Sequence, residues 1–188
     1  MLNLPNCLTL VRILTIPFFL IELSAHRYLS ALVIFIVGGL TDFLDGLAAR
    51  LLKQQTALGT YLDPVADKLL VITSFIMLGL EGGIPSWLAV TVVSRDLLII
   101  VGYGTIFFLI EEKIQVKPSA IGKWSTLLQL LTLAFALVFL HDPEIAQPWW
   151  KDLLIALTAL ATVISGLQYL YRGLILLQNK APTLNRLS

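Results

Sequence analysis

The sequence predicts an all-α membrane protein, with six transmembrane helices in one bundle and an active site at its cytoplasmic end. Three observations carry that expectation. Of 188 residues, 57% are apolar and only 13% are charged, against roughly 25% charged in a soluble domain. The apolar residues gather into six runs, each close to the roughly 20 residues a helix needs to cross hydrocarbon. The acids are concentrated too: Asp42, Asp45, Asp63 and Asp67 share the short stretch Thr41–Lys68.

The first run spans Cys7 to Leu23, and Pro17 inside it is expected to kink the helix. No Lys or Arg precedes Arg12, and no small-x-small cleavage site follows, so this run reads as a transmembrane helix rather than a signal peptide. A polar link, Ser24–Arg27, leads to the second run, Tyr28 to Leu52, apolar up to Leu40 and then carrying Asp42, Asp45 and Arg50. Lys53–Tyr61, with Gly59, reads as a loop. The third run is Leu62 to Leu80, with Pro64 in its first turn. After the turn Glu81–Pro85 comes the fourth, Ser86 to Ile110, with Arg95 and Asp96 inside it. A polar loop, Glu111–Lys123, precedes the fifth, Trp124 to Leu140. The loop His141–Pro148 leads to the sixth, Trp149 to Leu177, and a polar tail to Ser188. No repeat or boundary divides the chain, so residues 1–188 form a single domain. Cys7 cannot make an internal disulfide and reads as a small apolar residue.

A net charge of +1 gives no signal for a nucleic-acid partner, but the placement of charge orients the chain. With the aspartate stretch on the cytoplasmic side, all 13 basic residues except Arg27 and Lys151 lie at or near that face, as the positive-inside rule requires. Both termini are then cytoplasmic in an integral membrane protein such as one of a bacterial inner membrane. Trp87, Trp124, Trp149, Trp150, Tyr169 and Tyr171 read as interfacial belt residues. Gly102, Gly104 and Gly166 read as sites of close helix packing.

The aspartates fall at i, i+3 and at i, i+4, so on helices each pair projects from one face. Four crowded carboxylates repel unless a cation lies among them. With no His or Cys nearby, a hard, oxygen-preferring divalent ion fits. A lone Asp at a membrane surface reads as a helix-end charge; four at this spacing, joined by glycines and an arginine, point to function, because charge at membrane depth is costly.

The full pattern is Asp42-x2-Asp45-Gly46-x2-Ala49-Arg50-x8-Gly59-x3-Asp63-x3-Asp67. It resembles the signature of the CDP-alcohol phosphatidyltransferase family at all eight positions, and the six-run hydropathy extends the resemblance over nearly the whole chain. The resemblance implies transfer of a phosphatidyl group from CDP-diacylglycerol to an alcohol, with release of CMP, using Mg²⁺ or Mn²⁺ as a pair of ions. It implies Asp42, Asp45 and Asp63 as metal ligands, with Asp67 sharing a second metal, acting as general base on the acceptor hydroxyl, or both. Gly46 and Ala49 leave room for a bulky ligand beside the helix. Arg50 suits a diphosphate through its planar guanidinium, and Gly59 with Thr60 lies beside the nucleotide. Asn6-x2-Thr9-x2-Arg12 matches a similar family set near the nucleotide; an N-cap at Asn6 and a snorkelling Arg12 account for it equally well. Arg95 reads as a cation lining the acceptor pocket, with a buried Arg95–Asp96 packing pair as the other reading. Lys117 and Lys123 are candidates for an anionic acceptor or a lipid phosphate, and also serve as topology signals. A homodimer in contact with membrane lipids is the expected assembly.

The acceptor is less clearly written. Leu97–Phe107 has no second cation after Arg95, and Ile84-Pro85-x-Trp87…Ser94-Arg95-Asp96-Leu97 looks like CDP-lipid-using cardiolipin synthases. The expectation therefore leans to phosphatidylglycerol, with glycerol 3-phosphate as the alternative. A small divalent-cation transporter is the alternative of another class, disfavoured because the acids gather at one end and no repeat is visible.

Overall fold

A computed structural model describes residues 4–52, 57–109, 119–145 and 148–184, with the side chains of 13–41, 68–102, 119–145, 149–176 and 178. All regular elements among the described residues are helices: α1 Leu4–Ser24, α2 Tyr28–Leu52, α3 Ala57–Leu80, α4 Ser86–Leu109, α5 Ala120–His141 and α6 Pro148–Leu184. Six apolar runs have become six helices in chain order. Pro17 lies inside α1, as its position in the first run required.

Four boundaries differ from the sequence expectation by three residues or more. Helix α1 starts at Leu4 rather than Cys7, so Asn6 lies inside the helix and is not its N-cap. Helix α3 starts at Ala57, so Gly59 and Thr60 are helical rather than in a loop, and Pro64 lies inside the helix rather than in its first turn. Leu58, Tyr61, Leu62 and Val65 already keep the i, i+3, i+4, i+7 apolar period, which outweighs one glycine. Helix α5 starts at Ala120, which puts Lys123 in its first turn rather than in the preceding loop. The cause is a cap: the Ser119 Oγ accepts the Gly122 N–H at 2.9 Å. Helix α6 continues through the polar residues after Leu177 to Leu184, since a polar stretch ends an apolar run without ending the backbone hydrogen bonding.

The helices pack as a closed ring. Helix α1 lies against α2 and α3, α4 against α3 and α6, and α5 against α6 and α2, while α3 and α5 also touch across the middle. Chain direction alternates along the series, so the start of α3 and the end of α2 share one end of the bundle with the starts of α1 and α5. The opposite end holds the apolar core: Phe19, Leu23, Phe35, Phe75, Leu78, Leu88, Leu133 and Leu137 are buried in one cluster. Close contact there depends on small residues. A Cβ on Gly79 would meet the Ala89 Cβ at 3.1 Å, and one on Gly83 would meet Leu140 Cδ1 at 2.8 Å.

Much of the outer surface is apolar too. Leu14, Phe18, Val33, Val90, Leu160 and Leu167 are exposed, an arrangement that hydrocarbon solvates and water does not. Among the described residues, Ala120–His141 and Trp149–Leu176 are long and apolar enough to cross a membrane, and Ile13–Ser24, Tyr28–Thr41 and Lys68–Leu80 are shorter apolar stretches. Trp87, Trp124, Trp149, Trp150 and Tyr171 are exposed, as belt residues should be; Tyr169 instead turns inward onto Arg95. Gly102 faces open space rather than a neighbouring helix.

Packing rather than surface apolarity holds this bundle, so Phe75→Ala should destabilise the protein by about 3–5 kcal/mol. Val90→Ala, at a side chain 64% exposed, should leave the melting temperature in detergent almost unchanged. Thermal denaturation of the two variants beside the parent protein checks the contrast.

Candidate active site

The four aspartates sit where the ring brings two helix ends together with α1. Asp42 and Asp45 lie on α2, Asp63 and Asp67 on α3, and both helices run unbroken through their pair. At about 100° per residue, the first pair is about 60° apart around its helix and the second about 40°. Each pair therefore shares a face, as the spacing argument assumed. Among the described residues there is no group of three or more His, Cys, Asp or Glu side chains able to hold a metal. The donor chemistry of the paired aspartates fits a hard divalent cation. Gly46, Ala49 and Arg50 follow on α2, Gly59 and Thr60 precede Asp63 on α3, and Asn6, Thr9 and Arg12 lie on α1. The side chains of all these residues lie outside the described set, and Lys117 lies outside the described residues altogether.

The described edge of the site begins one residue after Asp67. The Lys68 ammonium donates to Asp96 Oδ1 on α4 at 2.7 Å. The neighbouring Arg95 donates to the same oxygen through Nη1 at 2.6 Å. Asp96 is 0% exposed and Arg95 only 6%. A carboxylate removed from water this completely needs paired charge; two cations on one oxygen supply it. The second Arg95 fork nitrogen, Nη2, donates to Ser165 Oγ on α6 at 2.5 Å. The guanidinium also lies over the Tyr169 ring, 5.6 Å from its centroid. Gly166 admits the arginine stem: a Cβ there would stand 3.3 Å from Arg95 Cγ. The Arg95–Asp96 packing pair of the sequence reading is thus present, and it is wider than a pair. Its reach to Lys68, Ser165 and Tyr169 joins residues that no single sequence motif connects. Among the described residues, Arg95 Nε and Asp96 Oδ2 of this group are buried without a hydrogen-bond partner.

Tyr169 carries the group on to α5. Its hydroxyl accepts the Ser119 N–H at 3.4 Å, and a Cβ on Gly122 would come within 2.8 Å of that hydroxyl. Lys123, one residue on, is exposed. Deeper between α5 and α6 runs a hydroxyl and amide seam. Gln129 Nε2 donates to Thr162 Oγ1 at 3.2 Å, and Thr132 and Thr158 share a 2.7 Å bond. With Ser125 on α5 and Ser165 on α6, these groups sit at i, i+4, i+7 on each helix, a period legible in the sequence only once the two faces are known to meet.

The profile of the family described as CDP-alcohol phosphatidyltransferase matches residues 2–167. The chain is similar to the CDP-diacylglycerol–glycerol-3-phosphate 3-phosphatidyltransferase of Bacillus subtilis (strain 168), 30% identical over 190 positions covering 90% of this chain and 94% of that one. A Haemophilus influenzae protein of the same name is 34% identical over 176 positions, covering 89% and 91%. A Mycobacterium bovis protein named "Putative cardiolipin synthase" is 34% identical over 157 positions, covering 82% and 71%.

The contact between Tyr169 and α5 leaves no room for a methyl group. Gly122→Ala should therefore cost about 1–3 kcal/mol and lower the melting temperature. Lys123→Ala, at an exposed position in the same turn, should not.

Proposed function

The chain belongs to the CDP-alcohol phosphatidyltransferase family, and from that premise we propose that it transfers the phosphatidyl group of CDP-diacylglycerol to glycerol 3-phosphate, releasing CMP. The observation that carries this reading is the eight-position aspartate pattern borne on two unbroken helices at one end of a closed ring. Near-full-length similarity to two glycerol-3-phosphate phosphatidyltransferases supports this acceptor over phosphatidylglycerol, toward which the sequence leaned. The lean rested on a missing second cation after Arg95 and on the likeness of the Ile84–Leu97 segment to cardiolipin synthases. Counting cations along α4 is a poor measure of an acceptor pocket, because the arginine α4 does carry is enclosed by Asp96, Ser165 and Tyr169.

In this reading Asp42, Asp45 and Asp63 hold Mg²⁺ or Mn²⁺, with Asp67 completing a two-ion site. When bound, such ions neutralise phosphate oxygens and ease departure of the nucleotide. Arg50 grips the diphosphate, and Gly46 and Ala49 let it lie close to α2. Gly59 and Thr60, now helical, line the nucleotide side as small groups on α3. Asn6, Thr9 and Arg12 approach from α1, which packs on both α2 and α3. Lys117 and Lys123 receive the acceptor phosphate, and Arg95, buried and paired with Asp96, adds positive potential to that pocket. Asp67 takes the proton of the acceptor hydroxyl. The freed oxygen bonds to the phosphorus bearing diacylglycerol as the bond from that phosphorus to the CMP oxygen breaks.

Six membrane spans with both termini cytoplasmic accompany this mechanism. Helices of 21 to 25 residues for α1 to α5 are about 32–38 Å long at 1.5 Å per residue, a match to hydrocarbon about 30 Å thick. The 37 residues of α6 exceed it, so its C-terminal part projects into the cytoplasm. The family resemblance also supports a homodimer.

Purified protein in mixed micelles with Mg²⁺ or Mn²⁺ should release CMP from CDP-diacylglycerol when glycerol 3-phosphate is added, and not with phosphatidylglycerol. Release with phosphatidylglycerol alone would return the acceptor to a lipid. Chelation by EDTA should abolish turnover. Asp67→Asn should lower it at least about 100-fold, the usual scale of a lost general base; intact turnover would remove that role.

A further inference from the structure

We propose that Asp96 is a positioning residue for catalysis: by holding Lys68 against α4 it fixes the rotation of α3, and with it the bearing of the Asp63/Asp67 pair. The inference rests on the metal-dependent reading above. Lys68 directly follows Asp67, and a helix turns about 100° per residue, so Asp67 and Asp63 stand about 100° and about 140° around α3 from Lys68. Pinning one side of a helix sets the direction of every other side. The 2.7 Å bond from Lys68 Nζ to Asp96 is that pin.

The anchor is itself immobilised. Asp96 is 0% exposed, and its Oδ1 is tied to Arg95, which is held in turn by Ser165 and Tyr169 of α6. Helices α3 and α4 therefore meet at one carboxylate oxygen, and α6 joins them through Arg95. The apolar face of α3, with Val71, Phe75 and Leu78, is buried further along the helix. The salt bridge adds a directional restraint at the end that carries the aspartates. The unpartnered Oδ2 of Asp96 also fits an internal anchor rather than a ligand site, because no accessible space adjoins it.

Lys68→Met is the main test, because the Lys68 side chain is 26% exposed and Arg95 remains as a counter-charge on Asp96. Asp96→Asn and the conservative Lys68→Arg accompany it. Two readouts are made on folded, monodisperse protein: Mn²⁺ affinity by electron paramagnetic resonance without substrates, and kcat with separate KM values for both substrates. Lys68→Met should weaken Mn²⁺ binding at least fivefold and lower kcat roughly 10- to 100-fold, the scale of a misplaced catalytic group. KM for CDP-diacylglycerol should stay within about twofold, and Lys68→Arg should recover most of both losses. Asp96→Asn should reproduce the Lys68→Met effects where it folds; where it does not, Lys68→Met decides. Unchanged Mn²⁺ affinity and kcat in Lys68→Met, with only a lower melting temperature, would overturn the proposal and leave the bridge a stabilising contact. If the parent protein binds Mn²⁺ but transfers nothing to glycerol 3-phosphate, the acceptor assignment fails while the affinity comparison still tests the pin. If the parent binds no Mn²⁺, the proposal falls.

Discussion

One carboxylate oxygen, Asp96 Oδ1, takes a proton donor from Lys68 on α3 and another from Arg95 on α4, inside a bundle whose outer surface is hydrocarbon. Most of the described arrangement at this end of the protein depends on that meeting. Buried charge is expensive, and removing either cation would leave part of the cost uncompensated. The pairing is therefore directional as well as strong. It fixes which side of α3 faces α4, and through Ser165 and Tyr169 it fixes where α6 stands relative to both.

The interior is divided accordingly. Away from the aspartates the core is Phe, Leu and Val packed against glycine and alanine, contacts that bring helices close without prescribing a function. Toward the aspartates the buried groups become Arg95, Asp96, Ser125, Gln129, Thr158, Thr162 and Ser165. In a lipid-facing bundle apolar burial gives little drive for one helix to choose another, since lipid tails are equally apolar. Hydrogen bonds between α5 and α6 and the ion group across α3, α4 and α6 supply the choice. Partner selection among the helices and construction of the polar site thus draw on the same residues.

The resulting architecture suits a lipid substrate with a charged head. The aspartate-bearing parts of α2 and α3 share an end of the ring with α1, while the connections Ser24–Tyr28 and Glu81–Ser86 lie at the other end. A water-soluble nucleotide and a membrane-embedded diacylglycerol then need to meet only at the boundary between water and hydrocarbon. Charge is costly within the hydrocarbon and cheap at that boundary, which is a physical reason for the acids to gather at helix ends.

Much of this was legible in the sequence because membrane helices declare themselves by composition. Six apolar runs became six helices, the aspartate spacing gave two helical faces and the suitability for a hard cation, and eight positions gave the family. What the sequence left open was decided by contacts between distant residues. Tyr169 looked like a belt residue because an aromatic near a span end usually is one; only the approach of α4 and the absence of a side chain at Gly122 turn it inward. Lys68 looked like a topology charge because its partner lies 28 positions away. Gly59 looked like a loop because a glycine and a polar stretch outweighed an apolar period that resumes at Leu58. The sequence by itself determined the helices, their order and the helical spacing of the aspartate stretch, since these follow from local composition and spacing. Only the tertiary structure decided that Arg95 is clasped by Asp96, Ser165 and Tyr169 and that Lys68 reaches across to α4, because charge pairing in a low-dielectric interior depends on which helix faces meet.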